Sequence, residues 1–281
     1  MQNCRGGIAF FDSGIGGLTV LHECVRRFTG ERFYYLGDNA HAPYGNKSEK
    51  EITALAMRAF DYFQTLGVKA AVVACNTVTA VCIDALRKKY PFPIIGAEPA
   101  INVAAKMGGK VLVLATPATC ESTRFLSLCD KVGDKYPQAT LLIHPCYTLA
   151  GAIEQGIEKG DFDISIHIPT ISPTSVVLGC THYIYIKEQI AQYYSCPVFD
   201  GNLGISTRLS TILQSAKIGE LSTNSTKIIH NFQKSRDEQP LFTTNKFSRF
   251  STQNSNQIYF LGASKVKNKQ IYERMFALSG K

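Results

Sequence analysis

Two cysteines stand where a thiol can do chemistry. Cys75 closes the apolar run Val72-Val73-Ala74 and precedes Asn76 and Thr77; Cys180 closes Val176-Val177-Leu178-Gly179 and precedes Thr181 and His182. Each run is a predicted buried strand and each Cys opens a helix. Both thiols therefore fall at the carboxyl edge of a sheet, where open α/β folds bind ligands. A helix N-terminus offers free N–H groups and the positive end of a dipole. That setting favours an anion and lowers a thiol pKa from about 8.5, making thiolate available near neutral pH. Cysteine is otherwise among the most buried residue types and usually inert packing. Cys24, Cys82, Cys129 and Cys196 are read that way, whereas the polar neighbours of Cys75 and Cys180 point to function.

Two loops add polar groups at the same edge. Asp12-Ser13-Gly14-Ile15-Gly16-Gly17 follows the first strand and opens the first helix. Its glycines allow a tight turn and close backbone approach, while Asp and Ser supply an acceptor and a hydroxyl. It fails the G-x-G-x-x-G spacing of a dinucleotide site. The loop from Gly37 to Gly45 follows the second strand and reads equally as a structural turn or a ligand contact. No C-x-x-C pair and no H-x-x-x-H spacing marks a metal site, and no Ser sits in G-x-S-x-G.

The elements that position these residues alternate. Strands are predicted over 7–11, 33–36, 70–74, 94–95, 111–115, 140–143, 175–178 and 197–199. The unbroken run Val111–Ala115 suits a strand buried on both faces of a parallel sheet. Helices are predicted over 18–28, 78–90, 101–107, 121–132, 148–155, 183–194 and 203–214. A further one starts at Ser48, with Glu51 as its capping-box partner and Ile52, Leu55, Ala59, Phe63 and Leu66 on one stripe. This is an α/β pattern. Strand, Cys, small polar pair, helix and Pro-strand recur around Cys75 and Cys180, which fits two tandem lobes of one plan, although β-α-β units resemble one another in any case.

Two such lobes, facing across a cleft, would set one thiol on either face of a carbon. That geometry suits removing a proton from one face and returning one to the other, and a tuned Cys qualifies as general acid and base. The weakly acidic α-hydrogen of an amino acid would need donors at the helix N-termini to stabilise charge developing on the carboxylate.

Composition narrows the setting. The 281 residues exceed a usual single core, and 45% hydrophobic content excludes a disordered or low-complexity chain. The net charge of +8 sits at the C-terminal end: residues 1–216 hold 19 Lys and Arg against 18 Asp and Glu, residues 217–281 hold 11 against 4. Those basic residues form no stripe or cluster and read as a solvated surface, not a nucleic-acid patch. Nine cysteines are too few for a disulfide scaffold and suggest reduced thiols. With no signal peptide and no run of roughly 18 apolar residues, a cytoplasmic protein that does not enter a membrane is expected.

The strings FDSGIGGLTVL (11–21), PYGNKS (43–48), VVACNT (72–77), ATPAT (115–119) and LGCTHY (178–183) closely resemble the aspartate/glutamate racemase superfamily, in its glutamate racemase branch. The likeness runs in order from Ile8 to about Gly201, with a weaker echo at 241–244 and 260–262. It implies a cofactor-independent, metal-free two-base racemase that interconverts L- and D-glutamate, the latter for bacterial peptidoglycan. By resemblance, Cys75 acts on the D-enantiomer and Cys180 on the L-enantiomer, with Asp12 and His182 assisting. Ser13, Tyr44, Gly45, Asn76, Thr77 and Thr181 match substrate contacts, Thr119 is a further one, and Glu154 matches an acidic residue close behind them. The implied fold is two pseudo-symmetric α/β lobes, each a mostly parallel sheet flanked by helices, with the site at their interface. Residues 1–98, completed by about 212–281, would form the first lobe and 99–211 the second. A homodimer is expected.

Asn39, Tyr147 and Ile184 stand where the family usually has Thr, Pro and Pro, and the polar stretch 222–255 is longer than expected. Other readings are an aspartate racemase, a non-catalytic binding protein acting through the basic C-terminal segment, and a thiol redox protein whose two sulfurs come within bonding distance.

Overall fold

The computed structural model describes residues 6–159, 163–222, 248–252 and 255–277. The first four strands are β1 (Ile8–Asp12), β2 (Arg32–Gly37), β3 (Ala70–Val73) and β4 (Ile94–Gly96). Between and after them lie α1 (Gly17–Arg27), α2 (Glu49–Thr65), α3 (Asn76–Lys89) and α4 (Ile101–Ala105). There follow β5 (Gly109–Ala115), α5 (Pro117–Glu121), α6 (Thr123–Lys135), β6 (Ala139–Pro145), α7 (Leu149–Lys159), β7 (Ser175–Gly179), α8 (Lys187–Tyr194), β8 (Val198–Phe199) and α9 (Asn202–Ser222). The chain returns through β9 (Ser248–Ser251), β10 (Gln257–Phe260) and α10 (Lys265–Tyr272).

Among the described residues, ten strands make two sheets, ordered β4-β3-β1-β2-β10-β9 and β6-β5-β7-β8. All neighbours pair in parallel except β9 with β10. The α/β class with two mostly parallel, helix-flanked sheets is as expected. Alternation along β1 sends Ile8 and Phe10 to one face and Ala9 and Phe11 to the other, each into its own buried cluster. Phe11 meets Phe60 of α2 at 6.2 Å between ring centroids, and Phe10 meets Phe33 at 5.9 Å. Each buried aromatic contributes about 1.5–3 kcal/mol of apolar burial. These contacts hold the central strand, and so its carboxyl end, in place.

Local chemistry sets the helix ends. Ser48 Oγ accepts the Glu51 N–H while a Glu51 carboxylate oxygen accepts the Ser48 N–H, the expected capping box. Two predicted helices differ in their bounds. The one over 121–132 is α6, which starts at Thr123 because Ser122 is its N-cap and its Oγ accepts the Phe125 N–H at 3.2 Å; the short α5 precedes it. The one over 183–194 becomes a 3-10 turn, Thr181–Ile186, and then α8. The edge strand β9 is largely polar and lies outside the strand bounds predicted above. Most of the stretch 222–255, and the echo at 241–244, lie outside the described residues.

Candidate active site

The first half of the site hangs on β1 and β3. Beyond β1 the chain turns, and Asp12 Oδ1 accepts the Gly14 N–H at 2.8 Å. A side chain at Gly17 would strike Asp12 Cβ at 2.6 Å and Ala74 Cβ at 3.0 Å, so only glycine lets the loop enter α1 there. Beyond β3, Cys75 is the N-cap of α3, 4% exposed, with its sulfur 3.5 Å from Ser13 Oγ.

The second half hangs on β7. Cys180 is the N-cap of the 3-10 turn and is 7% exposed. Its sulfur lies 3.7 Å from His182 Nδ1, and His182 Nε2 donates to Glu154 Oε1 at 2.9 Å. Glu154, brought in by α7, also accepts the Ile15 N–H at 3.0 Å. The halves meet directly: Thr181 Oγ1 donates to Asp12 Oδ2 at 3.1 Å. A Cβ on Gly16 would sit 2.8 Å from the His182 backbone nitrogen.

Hydroxyls gather beside Cys75. Thr77, Thr116 and Thr119 form a buried triangle, with Thr116 Oγ1 2.9 Å from each of the other two. Gly45 packs against this triangle, where a Cβ would meet Thr116 Cβ at 2.7 Å. Tyr44 is buried and its hydroxyl donates to Asp38 Oδ2 at 2.6 Å. Asn76 is also buried, its amide donating to the Ala97 carbonyl at 3.4 Å.

The electrostatics of the two thiols differ. Burial, and then the Asp12 carboxylate, push Cys75 up to about 12. Ser13 and the Val78 N–H at the start of α3 pull the other way and are outweighed. The sequence-based expectation that a helix N-terminus leaves this thiol ionised near neutrality is therefore corrected: its burial dominates. Burial alone would keep His182 neutral, but hydrogen bonds to Cys180 and Glu154 and the charge of Asp12 hold it well above its ordinary value. Burial would raise Glu154, yet His182, the Ile15 N–H and Lys267 keep it below the usual carboxylate range. Burial raises Asp12, against the pull of His182.

Asp12, Ser13, Cys75, Glu154, Cys180, Thr181 and His182 are thus one connected cluster, and Asn76, Thr77 and Thr119 lie beside it. Gly45, with Tyr44 before it, packs on Thr116 of the threonine triangle. Ser13 is the side chain that touches the Cys75 sulfur, while Asp12 acts on it through its charge. Sequence reasoning missed Thr116, although it lies within ATPAT, and missed Tyr35 and Tyr185. Their hydroxyls donate to the Gly14 and Ile15 carbonyls at 2.8 and 2.7 Å. No local pattern marks those tyrosines. Cys75 and Cys180 are both free thiols. Among the described residues, no group of three or more His, Cys, Asp or Glu could hold a metal ion, and no helix is long and apolar enough to cross a membrane.

Residues 16–203 match the Asp/Glu/Hydantoin racemase family. A glutamate racemase of Clostridium botulinum is 40% identical over 221 residues, covering 75% of this chain and 85% of the relative. A solved glutamate racemase from Francisella tularensis in complex with D-glutamate superimposes with a TM-score of 0.64 at 30% identity, over 79% of this chain and 85% of that one. Escherichia coli glutamate racemase in complex with L-glutamate and the activator UDP-MurNAc-ala superimposes with a TM-score of 0.66 at 28% identity, over 75% and 83%. These relatives are racemases, isomerases that invert a stereocentre. The chain belongs to the Asp/Glu/Hydantoin racemase family.

Proposed function

We propose that the protein interconverts L- and D-glutamate by a two-base mechanism that uses no cofactor. The observation that carries this reading is the pair of buried thiols at two sheet edges, tied across by the Thr181–Asp12 hydrogen bond. Cys180 takes the α-proton of L-glutamate and Cys75 returns one to the opposite face; the reverse direction exchanges the roles. Charge develops on the substrate carboxylate as the α-proton leaves, and the hydroxyls of Thr77, Thr119 and Thr181 with the Asn76 amide supply donors for it. Ser13, Tyr44 and Gly45 complete the substrate contacts. A substrate ammonium arriving between Asp12 and Cys75 brings a cation beside both, which favours the ionised thiol that burial otherwise disfavours. His182, held by Glu154, serves Cys180 from the other side.

The same reading divides the chain into a first lobe, 1–98 completed by about 212–281, and a second, 99–211. It assigns the product D-glutamate to peptidoglycan synthesis in a bacterial cytoplasm, and the working form to a homodimer.

The test is incubation of each glutamate enantiomer with the protein in deuterium oxide, followed by chiral separation and mass spectrometry. The product enantiomer should carry deuterium at Cα. Glutamate left unlabelled and optically unchanged, or aspartate turned over at a higher kcat/KM, sinks the assignment.

A further inference from the structure

Tyr185 lies three residues after His182 in the same 3-10 turn, and its ring packs against the core of both sheets. Its hydroxyl donates 2.7 Å to the carbonyl of Ile15, in the loop that carries Asp12 and Ser13. The amide of that same Ile15 donates to Glu154 Oε1, which also accepts from His182 Nε2. Tyr185, Ile15, Glu154 and His182 therefore close a ring that begins and ends on one turn of chain. Ile15 is held at both its peptide groups by the half of the site that bears Cys180. Burial, with Asp12 and Glu154 nearby, keeps the phenol well above the ordinary tyrosine range, so it remains a donor.

We infer that Tyr185 is a positioning residue for the Cys180 half: by clamping the Ile15 carbonyl it aims the Ile15 amide at Glu154 and so fixes the acceptor that orients His182 against Cys180. This rests on the glutamate racemase reading. It assigns the clamp no contact with substrate; its effect passes through Glu154. Loss of the hydroxyl leaves the ring in both cores and leaves the Ile15 carbonyl with the Leu18 N–H, 3.0 Å away, in place of two donors. Because the equilibrium constant between enantiomers is one, kcat/KM must fall equally in both directions. The asymmetry shows instead in which proton transfer limits the rate.

The experiment is Tyr185→Phe, alone and with Glu154→Gln, assayed with L- and D-glutamate carrying hydrogen or deuterium at Cα. We expect kcat/KM to fall about fivefold for Tyr185→Phe, equivalent to about 1 kcal/mol. The primary isotope effect should rise from the L side and fall from the D side, since the Cys180 transfer becomes the slower one. The double variant should lose less than the product of the single losses, as residues acting through one contact do. Thermal unfolding of each variant verifies that folded protein is compared. An unchanged kcat/KM, a loss with both isotope effects unaltered, or losses that simply multiply would overturn the inference while leaving the racemase reading intact. Wild-type protein that does not racemise glutamate overturns that reading and this inference with it.

Discussion

Cys75 and Cys180 occupy equivalent places in two sheets of matching order. β3 and β7 are each flanked by a short outer strand, β4 or β8, and by a longer inner one, β1 or β5. Each thiol is the N-cap that follows its strand, Cys180 directly after β7 and Cys75 with Ala74 between it and β3. Behind the sulfur the likeness ends. Cys75 caps the 14-residue α3 and has a hydroxyl and a carboxylate for company, whereas Cys180 caps a six-residue 3-10 turn and faces an imidazole backed by Glu154. A repeated topology thus places two like groups symmetrically without giving them like electrostatics. A reaction on two faces of one carbon needs the placement; each proton transfer is tuned by its own neighbours.

The comparison can be broken most forcefully at the sulfurs. If both are bases in one reaction, Cys75→Ser and Cys180→Ser should each lower kcat/KM for glutamate by roughly 10²–10⁴-fold, measured by circular dichroism of the enantiomers. Full turnover retained in either variant would remove that half from the mechanism.

A smaller effect sharpens the electrostatic difference. With its thiol pushed up to about 12, Cys75 should be alkylated by iodoacetamide at a rate that climbs about tenfold per pH unit between pH 7 and 10. Peptide mass spectrometry follows the labelled site. A plateau near pH 8 would show that burial and Asp12 do not control this sulfur.

The smallest effect concerns His182. Its folded value lies above its unfolded value of about 6.5. The stability it contributes is then fully present below that value and is lost as pH rises through the folded one. The gap in thermal unfolding midpoint between wild type and His182→Asn should be widest near pH 6 and narrow towards pH 10. A gap that widens with pH would reverse the sign assigned to the Cys180 half.

Much of the frame was legible from local pattern. The apolar run at Val111–Ala115 forms the carboxyl-terminal part of β5, and Ser48 with Glu51 caps α2 as expected. Legibility failed where local preference was overruled. The helix predicted from Glu121 starts at Thr123, because Ser122 stays extended and caps it. β9 is a polar strand that forms because β10 offers it a ladder, and α10 follows where no stripe announced it. The cluster around the thiols was legible residue by residue through the motifs. Tyr185 was not, because its role depends on a carbonyl 170 positions away in sequence.

The order of amino acids determined that two thiols follow two buried strands, that small polar residues flank them, and which family the chain resembles. Those properties are local, set by hydrophobic runs, turn residues and caps. Tertiary structure decided which distant groups meet: Thr181 with Asp12 across 169 residues, and Glu154 with Ile15 across 139. It also decided the charge of the setting, since burial and neighbours pushed Cys75 up where its place at a helix N-terminus alone would have brought it down. Desolvation and pairing are properties of the packed interior, and no stretch of chain carries them alone.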